Sequence, residues 1–123
     1  MQRTASALAL AEQGEHPLEV ETMRATVHLV LAEAPQMTAD LATLRLQLRG
    51  HMNLLIPAVE ALTRKLPAED IPRACAVACI GEARMRLRLG GGDNDRVRLA
   101  VTVKLARSVD ALADHYETLG CQS

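Results

Sequence analysis

Five side chains have the types and the spacing to do chemistry together: Glu82, His51, Asn53, Arg86 and Glu21. Glu82 falls in line with a run of apolar positions, Ile71, Cys75, Ala78, Cys79, Met85 and Leu89, at helical spacing. A carboxylate in such a stripe is expected to be partly buried. It then needs a donor, which Arg86 one turn on or His51 across the molecule could supply. Pro57 brings no N–H to its helix and so frees the carbonyl of Asn53. If the helices run up and down, Glu82, His51, Asn53 and Glu21 lie at similar heights. An acid, an imidazole, an amide and a loosened carbonyl at one level could bind a small polar ligand or relay a proton. The simpler expectation is a structural pair in which Arg86 holds Glu82, since buried polar groups need partners whether or not they react.

Other constellations are weaker. Cys75 and Cys79 stand four apart on one helix, but tetrahedral metal binding needs two more ligands, and Cys121 lies beyond the last helix. Small thiols packing like alanine are expected, with no metal. No Glu-x-x-His pair, phosphate-binding loop or dinucleotide fingerprint occurs, so no cofactor is expected either. Residues 84–107 carry seven basic side chains against Asp93 and Asp95, a net of +5, while residues 1–40 carry six acids against Arg3 and Arg24, a net of −4. Arg84, Arg88, Arg96 and Arg98 form a basic surface that could meet phosphates or an acidic partner. With no Phe, no Trp and one Tyr to stack on bases, nucleic acid is the least favoured partner, and a solvated charged face is the plain expectation.

These residues must be positioned by helices. The chain has 123 residues, 49% of them apolar, enough for one domain with one core filled by Leu, Ala, Val, Ile and Met. A first helix is expected over 18–34, with the stripe Val20, Met23, Val27, Val30, Leu31, stopped by Pro35. A second starts at Thr38 as N-cap and carries Leu41, Leu44, Leu48, Met52, Leu55, Val59, Leu62 and Leu66, with a kink at Pro57. A third begins at Asp70 and ends at Gly90-Gly91-Gly92, with a short strand over Met85–Leu89 as competitor. The fourth follows Asp93 or Asp95, carries Val97, Val101, Leu105, Val109, Leu112, Tyr116 and Leu119, and is capped by Gly120.

The fold class predicted is all-α, an antiparallel up-and-down four-helix bundle over 18–119. Residues 1–17 form a short helix or frayed tail, and 120–123 a C-terminal tail. No apolar run approaches the roughly 20 residues that span a bilayer, and no export signal precedes the first helix. The expected setting is the cytoplasm, with no membrane contact.

Leu54-Leu55-Ile56-Pro57, Asp70-Ile71-Pro72-Arg73-Ala74-Cys75-Ala76, Cys79 with Gly81-Glu82-Ala83-Arg84, and Asp114-His115-Tyr116-Glu117 together resemble a family of small actinobacterial proteins loosely labelled as natural-product biosynthesis proteins. The resemblance covers roughly 20–119. It implies a cytoplasmic actinobacterial protein tied to specialised metabolism, with variation in the Gly90–Asn94 loop, and it transfers no catalytic residue.

Three functions follow as expectations. The first is a small binding or accessory protein, a homodimer through the small-residue face of the third helix or a partner of a pathway protein. The second is a cofactor-independent enzyme or small-molecule carrier using the Glu82 level. The third is a nucleic-acid-binding regulator using the Arg-rich hairpin. Whether the chain is an enzyme stays open at this point.

Overall fold

A computed structural model describes residues 18–33 and 41–121. They form four helices: α1 (Val20–Glu33), α2 (Leu41–Thr63), α3 (Ile71–Leu87) and α4 (Asp95–Cys121). No strand occurs among the described residues, and none of their helices is long and apolar enough to cross a membrane. The expected N-terminal segment, the Thr38 cap and the stop at Pro35 lie outside the described residues.

The bundle forms because three helices carry clean stripes. Leu48, Met52 and Leu55 of α2, Leu105 and Leu112 of α4, and Val27 and Val30 of α1 are essentially sealed from solvent. α4 packs against each of the other three helices. Its buried hydroxyls are satisfied: Thr102 donates to the Arg98 carbonyl at 2.8 Å, and Ser108 accepts from Arg86 at 3.0 Å. Tyr116 is half-buried against the core edge.

Local signals set the helix ends. The Asp70 carboxylate accepts the Arg73 N–H at 2.9 Å, with Pro72 in the first turn where its missing N–H costs nothing. At α4 the cap is neither Asp93 nor Asp95. It is Asn94, whose side-chain oxygen accepts from the Val97 N–H at 3.0 Å. α4 runs on through Gly120, which is helical rather than its cap. The stretch from Met85 to Leu87 is helical, so the competing strand does not form, and the turn at Arg88 closes α3 before the glycines. α2 stays helical through Pro57. In α1, Leu31 points outward at 40% exposure, off the stripe assigned to it.

Leu55 and Leu105 are fully buried in facing helices. Leu55→Ala or Leu105→Ala should each destabilise by about 2–5 kcal/mol in urea melts, and Leu46→Ala, at an exposed position of α2, by less than about 0.5 kcal/mol. A similar, small shift for all three would contradict this core.

Candidate functional site

The orientation of α3 decides what becomes of the predicted cluster. Its buried residues are Ala76, Ile80 and Ala83. At 100° per residue these lie about a third of a turn from the Ile71–Leu89 stripe expected to face inward. That expectation is corrected: Ile71 is 75% and Met85 67% exposed, and Cys75, Ala78 and Glu82 are also exposed. The physical reason is that α3 has no single dominant apolar face, and the small Ala76 and Ala83 let it settle close to its neighbours with Ile80 as the one bulky buried anchor. Flanking arginines then hold it in place. Arg73 donates to the Thr63 carbonyl at 3.0 Å, and Arg86 donates to the Lys104 carbonyl at 3.1 Å as well as to Ser108.

Glu82 therefore lies on the surface, paired with Arg86 at 3.2 Å. An open groove of about 220 Å³ runs beside it, lined by Met85, Arg86, Leu89 and Lys104. His51 and Asn53 do not line it. His51 is half-buried toward α1, where its Nε2 lies 3.3 Å from the Thr26 hydroxyl. Asn53 and Glu21 are exposed. Only Glu82 and Arg86 meet among the five, so the polar level drawn from helix heights is not assembled. Heights matched, but the rotation of α3 turned its acid outward.

The basic segment is partly engaged within the fold. Arg84 pairs with Glu60 at 3.0 Å, and Arg98 with Asp95 at 3.1 Å and with the Gly92 carbonyl. Arg88 and Arg96 are exposed. Cys75 is exposed and Cys79 half-buried, with burial pushing the Cys79 thiol above its ordinary range and so away from the thiolate that binds metals. Among the described residues no three His, Cys, Asp or Glu side chains cluster as metal ligands would.

Two arginines carry geometry that sequence reading missed. Arg24 of α1 reaches Asp110, Asp114 and Glu117 of α4 at 3.0, 2.9 and 2.5 Å. Hydrogen bonding to Glu117 leads the causes that hold its guanidinium charged. Those acids recur at helical spacing on one face, a signal that needed only the partner. Arg45 of α2 is the opposite case. It is half-buried, and its Nε is sealed from solvent with no hydrogen-bond partner. It lines a pocket of about 120 Å³ with Leu41, Ala42, Gly91, Arg98 and Thr102.

A family model, DUF6415, described as a family of unknown function, matches residues 21–121. No curated protein and no solved structure matches the chain.

Burial holds the His51 imidazole below its ordinary value of 6.5, so the unfolded chain takes up this proton first as the pH falls. The group's contribution to stability is whole above that value and is lost as the pH drops through the window beneath it. Between about pH 7.5 and 5.5, His51→Gln should lose less urea stability than the wild type. Equal losses would show that His51 does not titrate differently on folding. Replacing Cys75 and Cys79 together by Ala should leave helicity and metal content unchanged. Native mass spectrometry showing a stoichiometric metal lost in the double variant would contradict that.

Proposed function

The chain belongs to the DUF6415 family, and we propose that it is a small accessory protein that works by docking, pairing with a second copy of itself through the outer face of α3. The observation that supports this reading is the composition of that face. Ile71 and Met85, both largely exposed, sit seven positions either side of Ala78, with small Ala74, Cys75 and Gly81 between them.

A two-fold axis at Ala78 would lay α3 antiparallel on its copy. Ile71 would then meet Met85 of the other copy, and Cys75 would meet Gly81. Small residues at the centre let two helix backbones approach closely, and a side-chain carbon built on Gly81 meets nothing within 4 Å. Charge fits the same register. The acidic start of the helix, with exposed Glu69, would lie near exposed Arg88 at the other copy's end, where helix dipoles also oppose favourably. The two Glu82 carboxylates, four positions either side of the axis, would stay about 12 Å apart along the helices, so they do not clash. Such a contact is isologous, the commonest form of closed symmetry.

The sequence resemblance supports the wider setting: a cytoplasmic actinobacterial protein in specialised metabolism, with the paired α3 helices as a platform for a pathway protein. The Arg-rich hairpin is the weaker reading, because Arg84, Arg86 and Arg98 already serve contacts within the chain.

Sedimentation equilibrium should show a dimer that Ala78→Arg converts to a monomer with unchanged helical circular dichroism. In a background with all three cysteines changed to Ser, Ala78→Cys should form an intermolecular disulfide on mild oxidation, and Arg88→Cys should not. A wild-type monomer at high protein concentration, or an Ala78→Arg dimer, would overturn the proposal.

A further inference from the structure

The groove between the end of α2 and α3 gathers more positive charge than its own acid balances. Its volume is about 360 Å³, larger than the concavities at Glu82 and Arg45. That lies in the range of about 300–1,000 Å³ typical of small-molecule sites. Three guanidiniums line it, Arg64, Arg73 and Arg84, against one carboxylate, Glu60, a formal excess of two positive charges. They converge from separate places. Arg64 stands in the turn after α2, Arg73 in the first turn of α3, and Arg84 about three turns further along α3. A cleft lined by one sign of charge focuses its field and draws in counter-ions.

Most of the donors on these arginines are not spent inside the fold. Arg84 gives one Nη2–H to Glu60 at 3.0 Å, and Arg64 lies 3.7 Å from the same carboxylate, too far for a hydrogen bond. Arg73 gives its Nε–H to the Thr63 carbonyl at 3.0 Å and a terminal N–H to the Ala68 carbonyl at 3.4 Å, both uncharged acceptors. The remaining donors are open to an incoming group: the Arg64 and Arg84 side chains are 72% and 50% exposed. The other concavities differ. At Glu82, Arg86 is spent on that acid, the Lys104 carbonyl and Ser108. At Arg45, the unmet Nε–H is sealed off by the protein itself. Exposed Val77 and buried Ile80 give the groove between α2 and α3 an apolar wall, and a side-chain carbon built on Gly81 meets nothing within 4 Å, so that wall has room beside it.

We infer that this groove binds the phosphate of a small organic phosphate monoester, with Arg64 and Arg84 donating to it from the α2 side and the α3 side. A monoester carries close to two negative charges at neutral pH, which matches the excess in the lining. Its three terminal oxygens accept from several directions at once, as guanidiniums on separate elements require, whereas a carboxylate is matched by a single planar fork. The organic group rests on Val77 and Ile80. Each lining residue belongs to one chain, so the site does not depend on the pairing of α3.

The test titrates the full chain, ¹⁵N-labelled, with phenyl phosphate and with phenyl sulfate, which has the same shape and one charge fewer. Phenyl phosphate should bind with a Kd of the order of 1 mM and shift the amide signals of Arg64, Val77 and Gly81. Phenyl sulfate should bind about fivefold more weakly or worse, and inorganic phosphate should compete with phenyl phosphate. Arg64→Gln, at an exposed side chain, should weaken phenyl phosphate about fivefold with unchanged helical circular dichroism. Arg96→Gln, exposed and outside the groove, should leave the affinity as it is. Glu60→Gln should raise the affinity about fivefold, because the carboxylate that competes for Arg84 is gone. A set of ion pairs that only braces the fold would gain no affinity from that change. Equal binding of the two esters, undiminished binding by Arg64→Gln, or no gain in folded Glu60→Gln would each overturn the assignment. So would shifts confined to other parts of the bundle, or no saturable shift at about 20 mM phenyl phosphate.

Discussion

α4 touches each of the other three helices, so one stripe of aliphatic side chains must fit three partners at once. Leu105, Val109 and Leu112 are wholly buried along it, as are the small Ala106 and Ala113 beside them. A core without Phe or Trp has no large flat side chain to fill an ill-fitting gap. Its cohesion comes from many small contacts that work only at close packing density. That constraint sets the spacing of α1 and α2 against α4. It also explains why α3 presents Ala76 and Ala83 inward, since bulkier residues there would hold it off.

Electrostatics fastens the edges of that packing. Arg24 ties the start of α1 to the last three turns of α4 through three carboxylates, while Arg49, Arg73 and Arg86 satisfy backbone carbonyls of neighbouring segments. Half of the arginines that gave the sequence a basic segment, Arg84, Arg86 and Arg98, are likewise engaged within the chain. Exposed ion pairs are individually weak, but a shared cation such as Arg24, only 19% exposed, holds two helices in one register. Asp114 and Glu117, both within the motif Asp114-His115-Tyr116-Glu117, gain a structural task from it.

How far the sequence disclosed all this depends on the helix. The stripes of α2 and α4 repeat in threes and fours over six turns or more, with polar residues between, and the bulky part of their buried faces was legible, although Val97 is 43% exposed and the small Ala106 and Ala113, which are buried, were not read. The Asp70 cap was legible because a carboxylate followed by Pro72 has few other uses at a helix start. α3 was not legible. Its small and apolar residues surround the axis, so periodicity favoured the bulky stripe, whereas packing favoured the small one. Glu82 followed the wrong face, and the site built on it came apart. Arg45 shows a different limit: being unpartnered is a property of neighbours, and no spacing within a sequence reports it.

The turn between α3 and α4 divides into two unlike halves. Gly92 sits at φ +94°, and a side-chain carbon there would lie 2.8 Å from Val97 Cγ1 and 3.0 Å from the Arg98 nitrogen. Gly90 meets nothing within 4 Å. Three identical residues in a row thus carry very different constraints: one is free, one guards the mouth beside Arg45, and one is fixed by the backbone it touches. Sequence drift through this turn would be expected to erode it from the α3 side. The α4 side, where the chain is pressed against the first turn of the next helix, would keep its glycine.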